Sequence, residues 1–476
     1  MTQQFQADVA VVGSGAGGSA VAGELAAAGL DVLVIEAGPK WFDPLGTHVR
    51  NVYSSEADLS RVGDIIYGEM LSYPSGADAP IGNLKDLKVA HGTGGMFALW
   101  MGNCPYPDTG ELPPWMNAAD WTPYFDRALA LMHIDQAGGG EGKMFEALLE
   151  KTRKAIGPRP DGREVRPMPF AARRVDGKLK ITASDELFFR GARSLPNLRV
   201  MSDCIVGEVI ANRHKATGLR AVRRTDRNET IEISADTIVI SGGTVGSPKV
   251  LAASKLDTGP ALGAYIHEHV CIGSRVTLNQ DIRRLIRDDE PVYSIWVPFS
   301  QGRPWQNQLC RFTLSSDGTR LAPGIREVDT SDIFTFVAMD VVAQNRFIFD
   351  RERLDPYGLP HADAVFGFSR DDRERIGAAM AEHFLIASEV GDMQAGWNPS
   401  IYPAGGSTHF MGSCRMGEKD DGQSVVDSHG RLWRYENIFV ADNSVLGTPN
   451  AGNPTFTTVA QALRTADRIL GRGAGG

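Results

Sequence analysis

The first 37 residues constrain the fold of this 476-residue chain more than any other segment. Residues 8–13 form a short apolar run rich in valine, and residues 14–29 are rich in alanine and end on a glycine. A second apolar run follows at 31–37. The spacing predicts a strand, a helix and another strand within about 30 residues, which is the start of a doubly wound α/β domain.

Three glycines and one acidic residue indicate that this unit binds a ligand. Gly13, Gly15 and Gly18 stand in GxGxxG spacing at the first turn, and Glu36 ends the second strand. Glycines let the backbone approach a pyrophosphate, the helix start offers free N–H groups, and Glu36 can accept hydrogen bonds from a ribose diol. A dinucleotide is therefore expected. These residues alone leave FAD and NAD open, although the loop-like sequence WFDPLGTHVRN at 41–51 differs from a self-contained NAD unit.

Later segments return to the same sheet. Residues 199–211, 236–243 and 437–442 are strand-like, and 454–470 has a helical apolar pattern. The nucleotide domain is thus predicted to be assembled from distant pieces, with the loop at Asp442 near the cofactor.

Composition excludes several classes of function. The net charge of −9 disfavours nucleic acid and anionic membranes as partners. No apolar run reaches the roughly 20 residues of a membrane span, and no secretory signal begins the chain, so a cytoplasmic location is expected. The five cysteines show no CxxC spacing. His267 and His269 alternate like metal ligands but lack a clear third partner, so no metal is predicted.

Long ordered motifs in the second half resemble the glucose-methanol-choline oxidoreductase family. They are STHFMGSCRMG at 407–417, SVVD at 424–427, NIFVADNSV at 437–445 and NAGNPTFTTVAQAL at 450–463, with VISGGTVGSPKVL at 239–251. The resemblance implies an α/β flavoprotein. Its Rossmann-like FAD-binding domain is built from discontinuous segments, and an α+β substrate domain places an antiparallel sheet over the flavin.

The expected domains interleave along the chain. The FAD-binding domain takes residues 1–40, 83–110, 195–275 and 405–476, and the substrate-binding or cap domain takes 41–82, 111–194 and 276–404. Segment 41–82 has no clear period, so it is either a mobile lid or an oligomer contact.

The resemblance also implies residue roles. His409 and Asn453 would face the reactive edge of the flavin as the catalytic pair. The residues expected to bind the cofactor are Gly13, Gly15, Gly18 and Glu36 on the ADP half, Val206 beside adenine through its backbone, Gly94, Gly95 and Met96 in the loop 92–105, Gly242 in a glycine turn, and Asp442, Pro454 and Thr455 on the ribityl and pyrimidine side.

Within the family, the loop GTGGMFALWMGNCP at 92–105 looks most like that of pyranose 2-oxidases and bacterial glycoside 3-oxidases, as does 344–360. Leu99 stands where fungal pyranose 2-oxidases carry the histidine that bonds to the flavin, so FAD is expected to be non-covalent. Met101 stands where those enzymes have threonine, so oxidation at carbon 2 is not implied.

Alcohol oxidation needs a base for the hydroxyl proton and an acceptor for the hydride. An imidazole suits the first task, so His409 is the predicted base, and the Asn453 amide can only orient the hydroxyl. The expected activity is oxidation of a secondary or primary hydroxyl of a sugar, glycoside or related polyol, with hydride going to flavin N5 and O₂ or another acceptor reoxidising the flavin. Carbon 3 of a glycoside is the preferred position.

Two other functions stay open at this point. One is an aminosugar dehydrogenase or oxidase of an aminoglycoside antibiotic pathway, which a cluster of carboxylates in the pocket would indicate. The other is a nucleotide-binding protein without catalysis. The aromatic residues of 283–350 are expected to build the wall over the flavin, and about two of them to face the substrate. They are Tyr293, Trp296, Phe299, Trp305, Phe312, Phe334 and Phe336.

Overall fold

A computed structural model describes residues 2–53, 62–73, 80–138, 140–176, 178–192, 194–287, 293–311, 325–393 and 398–472. The strands of these segments are, in chain order, β1 Thr2–Val12, β2 Val32–Ile35, β3 Leu71–Ser72, β4 Val89–Ala90, β5 Ile134–Asp135, β6 Arg166–Pro167, β7 Phe170–Val175, β8 Lys178–Ile181, β9 Leu198–Met201, β10 Cys204–Asn212, β11 Lys215–Arg223, β12 Thr230–Ile240, β13 His269–Leu278, β14 Tyr293–Val297, β15 Trp305–Arg311, β16 Thr330–Ala338, β17 Arg346–Leu354, β18 Pro360–Val365, β19 Gly391–Met393, β20 Ser400–Ile401 and β21 Ile438–Val440.

The α-helices of the same segments are α1 Ala16–Ala27, α2 Val49–Val52, α3 Ala118–Leu131, α4 Lys143–Ile156, α5 Ser184–Phe189, α6 Gly243–Ala253, α7 Gln280–Arg283, α8 Arg370–Val390 and α9 Thr455–Ile469. A short 3-10 helix at Gly95–Ala98 lies in the loop before residue 99. No helix of this described part is both long and apolar enough to cross a membrane.

The first sheet has the strand order β10-β11-β12-β1-β2-β9, and β21 also pairs with β12. Strands β1, β2, β9, β12 and β21 are parallel, whereas β10 and β11 form an antiparallel hairpin that joins the first half of β12. Strands β2 and β21 and the last residues of β1 and β12 are apolar and buried, because both faces of the sheet are covered there. The carboxyl ends of the parallel strands meet at one edge.

The second sheet is antiparallel, with the order β19-β13-β16-β15-β14-β6 and with β20 pairing β13. Apolar side chains of α4 and α8 share one hydrophobic core with β13 to β16. The predicted fold class, an α/β domain with a second domain built on an antiparallel sheet, is confirmed by this arrangement.

One local prediction differs from the structure. The segment 199–211 divides into β9 and β10, because Asp203 adopts a positive φ of 59° and turns the chain between them. The division into domains stays a prediction. Helices α3 and α5, which lie in segments expected in the cap, share a hydrophobic core with α1 and α9 through residues such as Trp121 and Phe188. Strand β13 belongs to the second sheet, although part of it falls in the segment 195–275 assigned to FAD.

Candidate functional site

The carboxyl edge of the first sheet brings together four predicted cofactor positions. Gly13 follows β1, Glu36 follows β2, Gly242 follows β12 and Asp442 follows β21. Backbone hydrogen bonds continue the strand register into these turns, including Gly13 N to Ile35 O at 2.8 Å. In open α/β sheets ligands bind at this edge, so the predicted residues lie where a dinucleotide would be held.

The glycines of the first turn have two different roles. A Cβ atom on Gly13, Gly17 or Gly18 would lie 2.3, 1.8 or 2.1 Å from a backbone oxygen, so these three permit close packing of α1 on the sheet. A Cβ on Gly15 would meet nothing closer than 3.9 Å. No side chain caps the start of α1, which leaves its first N–H groups facing this open side. A pyrophosphate fits there. Sequence reasoning did not single out Gly17.

Glu36 is buried and holds the turn together. Its carboxylate accepts hydrogen bonds from Ser14 N at 3.1 Å, Ser14 Oγ at 2.6 Å and Gly38 N at 2.9 Å. Burial raises the pKa of Glu36, against the effect of these donors. Ser14 Oγ also accepts from Gly94 N at 2.9 Å, so Ser14 links the acidic residue to the predicted flavin loop. Ser14 was not predicted.

The flavin loop lies against the glycine turn. Gly94 and Gly95 have positive φ values of 97° and 52°, and a Cβ on Gly95 would lie 3.5 Å from Gly15 Cα. Met96 is half-buried in the 3-10 helix that follows. Leu99 is buried in an apolar cluster with Val49 and Met70 and carries no group that can bond to a flavin.

Asp442, Gly242 and Val206 form the remaining edge. The buried Asp442 carboxylate accepts from Gly243 N at 2.9 Å, Ser247 Oγ at 2.5 Å and Ser444 N at 2.8 Å, and burial raises its pKa. It therefore ties the end of β21 to the first turn of α6, whose N-cap is Gly242. Val206 is buried in β10 at a register irregularity, in the strand that starts where Cys204 N donates to Glu36 O.

His409 and Asn453, which are 44 positions apart, are neighbours in space. Asn453 Nδ2 lies 3.4 Å from His409 Nε2. On the other side of the ring, His409 Nδ1 lies 2.6 Å from His269 Nε2. Phe336 packs beside both imidazoles, with ring centroids 5.5 Å from His409 and 4.8 Å from His269. From the sequence, His269 is excluded as a metal ligand and has no other assigned role.

Both imidazoles are electrostatically biased toward the neutral form. Burial lowers the pKa of His409 to about 4, although its ring is still partly open to solvent. Burial, and then the neighbouring His409, hold the pKa of His269 well below its usual range. The backbone and side-chain oxygens of Asn450 raise the pKa of His269 to a smaller degree. Neither forms a hydrogen bond of standard geometry with His269 Nδ1. A neutral imidazole is the form that can act as a base.

The Asn453 amide is oriented by the second sheet. Its Oδ1 accepts from Gln306 Nε2 at 3.1 Å and from Gln308 Nε2. Gln306 Oε1 in turn accepts from Trp296 Nε1 at 2.8 Å, and Gln308 Oε1 accepts from Asn103 Nδ2 at 2.8 Å. With its oxygen occupied, Asn453 presents N–H groups to His409. The two glutamines were not predicted; the polar run QNQ at 306–308 inside an apolar segment was the available signal.

Two buried carboxylates anchor the loops that carry the pair. Glu268 accepts from Gly405 N at 2.8 Å and from Ser407 Oγ at 2.5 Å, and Ser407 Oγ accepts from His409 N at 3.2 Å. Burial raises the pKa of Glu268 to about 7. On the other loop, Glu111 Oε1 accepts from the N–H groups of residues 451 and 452, both at 2.9 Å.

Pro454 and Thr455 begin α9 directly after Asn453. Pro454 is the N-cap and no side chain caps this helix, so its first N–H groups are available to an electronegative ligand group. Thr455 is half-buried at the first helical position. These features suit the pyrimidine side of a flavin.

The remaining predicted residues take other positions. His267 points away from His269, with its ring nitrogens 3.0 Å from Tyr265 O and 3.1 Å from Thr448 O. No cluster of three or more potential metal ligands occurs in the described segments. Tyr293, Trp296 and Phe299 are buried core residues. Phe334 stacks on Phe336, while Phe312 lies outside the described residues.

The chain is similar to known proteins over most of its length. The family model GMC oxidoreductase matches residues 113–271 and 350–462. A C-glycoside 3-oxidase of Microbacterium trichothecenolyticum is 28% identical, covering 98% of this chain and 96% of the relative. A pyranose 2-oxidase of Lyophyllum shimeji is 23% identical, covering 98% and 92%.

Solved structures share the fold at low identity. A structure of the Aspergillus oryzae formate oxidase, from a study of FAD modification, has a TM-score of 0.74 at 15% identity and covers 99% of each chain. A pyridoxine 4-oxidase from Mesorbium loti has a TM-score of 0.65 at 18% identity, covering 98% of this chain and 99% of that one.

Proposed function

The chain belongs to the GMC oxidoreductase family, and from this premise we propose that it uses FAD to oxidise a hydroxyl group of a sugar, a glycoside or a related polyol. The observation that carries the proposal is the juxtaposition of His409 Nε2 and Asn453 Nδ2 at 3.4 Å, beside the cofactor edge of the first sheet. The names of the two curated relatives support the substrate class.

The residues of the carboxyl edge fit FAD. Gly15 and the uncapped start of α1 suit the pyrophosphate, Glu36 the ribose, and the uncapped start of α9 the pyrimidine. When bound, FAD supplies the acceptor for the hydride that leaves the alcohol carbon. We propose that it is held without a covalent link, because the buried Leu99 at the expected attachment position has no nucleophilic atom.

His409 and Asn453 have different roles toward the hydroxyl group of the alcohol. A hydroxyl between the two side chains accepts a hydrogen bond from Asn453 Nδ2 and donates its proton to His409 Nε2. Because burial lowers the pKa of His409 to about 4, the ring is neutral at neutral pH and one of its nitrogens has a free electron pair. Removal of the proton strengthens the C–O bond toward a carbonyl and releases the hydride. Base catalysis of this kind is worth about 10²–10⁴-fold.

The names of the relatives support a proposal for the position oxidised and for the electron acceptor. We propose carbon 3 of a glycoside, as in the name of the C-glycoside 3-oxidase, and O₂ as acceptor, since the two relatives are named oxidases. Met101 and Phe334 both pack against the buried cluster of Phe170, Ala172 and Cys310, so an apolar group occupies the position expected for a threonine. Phe334 and Phe336 are the aromatic residues best placed to contact a sugar.

The two alternatives receive less support. An aminosugar substrate would need carboxylates open to its ammonium groups, whereas Glu268 and Glu111, which anchor the catalytic loops, are occupied by N–H and O–H donors. A binding protein without catalysis would not need the neutral histidine and the oriented amide at the cofactor edge.

The test is an anaerobic titration of the purified flavoprotein with monosaccharides, glycosides and aminosugars. We expect one glycoside class to bleach the flavin absorbance and His409→Ala to slow this by about 10²-fold or more with FAD still bound. The matched control is His214→Ala, which removes an exposed histidine. Readmission of air tests whether O₂ reoxidises the flavin. Acid precipitation tests whether the flavin is released, as a non-covalent cofactor would be.

Each outcome decides a part of the proposal. A bound flavin that no alcohol reduces would overturn the catalytic function, and bleaching only by aminosugars would favour the alternative substrate. Flavin that stays with the acid precipitate would show a covalent bond. A His409→Ala variant as fast as the His214→Ala control would remove His409 as the base.

A further inference from the structure

Trp296 begins a chain of hydrogen bonds that reaches the catalytic histidine. Its Nε1 donates to Gln306 Oε1 at 2.8 Å, and Gln306 Nε2 donates to Asn453 Oδ1 at 3.1 Å. Asn453 Nδ2 faces His409 Nε2 at 3.4 Å, and His409 Nδ1 meets His269 Nε2 at 2.6 Å. Trp296 and Gln306 are fully buried, so water does not replace these contacts.

The direction of donation along this chain is dictated by its first member. An indole N–H can only donate, whereas each amide can be turned end for end. Gln306 must therefore turn its oxygen to Trp296 and its nitrogen to Asn453, which in turn must offer oxygen to Gln306 and nitrogen to His409. The parallel branch from Asn103 through Gln308 has no such fixed end, because both of its members are amides.

The same direction selects the tautomer of His409. Because Nε2 faces an N–H donor, the electron pair of the neutral ring is at Nε2 and the proton is at Nδ1. The short contact to His269 is then a donation from His409 Nδ1 to His269 Nε2. This is the tautomer in which the nitrogen that faces the substrate can accept a proton.

We infer that Trp296 and Gln306 are positioning residues that hold His409 in its base-competent tautomer through the fixed polarity of the chain Trp296, Gln306, Asn453 and His409. This inference rests on the proposed function of His409, since only a base needs its electron pair at Nε2. The ring of Trp296 has a second role, because the guanidinium groups of Arg163 and Arg166 lie over it at 5.6 and 4.8 Å.

The decisive variant is Gln306→Glu, which keeps the shape of the side chain. An ionised carboxylate still accepts from Trp296 but can only accept from Asn453. Because the amides of Gln308 and Asn103 can turn end for end, they do not hold Asn453 against this change. The Asn453 amide therefore turns and offers its oxygen to His409. The proton of the imidazole then moves to Nε2. We expect the rate constant of flavin reduction to fall by about 10–10² at pH 8, with the substrate dissociation constant changed less than threefold.

A pH profile separates polarity from simple disruption. When the introduced carboxyl is protonated at low pH it can donate to Asn453 again, so the rate of the Gln306→Glu enzyme should recover toward that of the wild type. Trp296→Phe keeps a ring under the two arginines, removes the N–H, and should slow reduction severalfold at all pH values. The control is Trp433→Phe, which removes an indole N–H that donates to Ser424 Oγ at 2.8 Å, outside this chain of hydrogen bonds, and should leave the rate unchanged.

One measurement does not depend on variants that fold poorly or on a known substrate. In wild-type holoenzyme with ¹⁵N-labelled histidine, long-range NMR correlations report which ring nitrogen of His409 carries the proton, with the assignment taken from His409→Ala. A proton on Nε2 would overturn the inference even if sugar oxidation holds. A Gln306→Glu enzyme with wild-type rates, or with a loss that is the same at every pH, would also overturn it. A proton on Nδ1 without any sugar oxidation would leave the polarity intact and defeat the proposed function instead.

Discussion

The two sheets contribute to the site by different chemistry. At the carboxyl edge of the first sheet, backbone N–H groups and spaces without side chains face the ligand, as at Gly15 and the start of α1. The second sheet contributes side-chain amides from the middle of β15, where Gln306 and Gln308 hold Asn453. Backbone recognition requires glycine at fixed spacing and so leaves a visible signature, whereas side-chain recognition inside a sheet leaves almost none.

The largest effect should come from the packing of the first sheet. In Gly17→Ala the new methyl group would lie 1.8 Å from Ala441 O. This oxygen belongs to the backbone, so moving it would cost a large amount of folding free energy. We expect loss of bound FAD and destabilisation by at least about 3 kcal/mol, the upper end for overpacking. Urea unfolding and the flavin absorbance of the purified protein measure both effects.

Gly15→Ala is the matched control, because its Cβ would meet nothing within 3.9 Å. The variant should unfold like the wild type but bind FAD more weakly. If both alanine variants behave alike, the distinction between packing glycines and a ligand-facing glycine fails.

Loss of the Asn453 amide, which the second sheet orients, should have a smaller effect. Asn453→Ala removes the N–H donor to an alcohol oxygen that becomes charged in the transition state, an interaction worth about 1.5–3 kcal/mol. We expect flavin reduction to slow by about 10–10²-fold while FAD stays bound. Stopped-flow reduction under nitrogen measures it, with Asn228→Ala, an exposed asparagine, as control. A variant that loses FAD instead would assign Asn453 to cofactor binding.

The anchor of the His409 loop should make stability depend on pH. Burial raises the pKa of Glu268 from 4.5 to about 7, so the folded protein keeps this proton over a range in which the unfolded chain has lost it. The contribution of Glu268 to stability therefore falls as pH rises from about 4.5 to 7, by an amount on the order of 1–3 kcal/mol. Glu268→Gln removes this slope, whereas Glu374→Gln, on the exposed face of α8, should keep it. Denaturation at pH 5, 6 and 8 gives the comparison.

The smallest expected effect is the pH response of the base itself. Since burial lowers the pKa of His409 to about 4, the base form is complete above about pH 5 and is lost as pH falls through 4. The rate constant of flavin reduction should therefore be flat from pH 6 to 9. A rate constant that falls as pH drops through about 6.5 would show that bound FAD or substrate restores the ordinary pKa of the imidazole.

The site residues near the two ends of the chain could be predicted better than those in the middle of the chain. Gly13, Glu36 and Asp442 were located because short strands and turns fix where they must lie, and His409 and Asn453 because their motifs are long. Trp296 and Gln306 were not connected, because their contact depends on the register of β14 on β15, which places Trp296 opposite Gln308. The packing of α3 in one hydrophobic core with α1 and α9 also depends on long-range contacts that no local pattern encodes, whereas the split of 199–211 comes from the local turn at Asp203.

The alternation of β15 makes the length of this strand critical. Gln306 and Gln308 point to Asn453, while Asn307 between them points to the other face and donates to Thr335 Oγ1 at 2.7 Å. An insertion or deletion of one residue within β15 would exchange the two faces and replace the paired glutamines with a single shorter amide. Insertions and deletions should therefore occur in the turn at 298–304 and be absent from the strand at 305–311. A relative whose alignment has a gap within 305–311 would have to orient its catalytic amide in a different way.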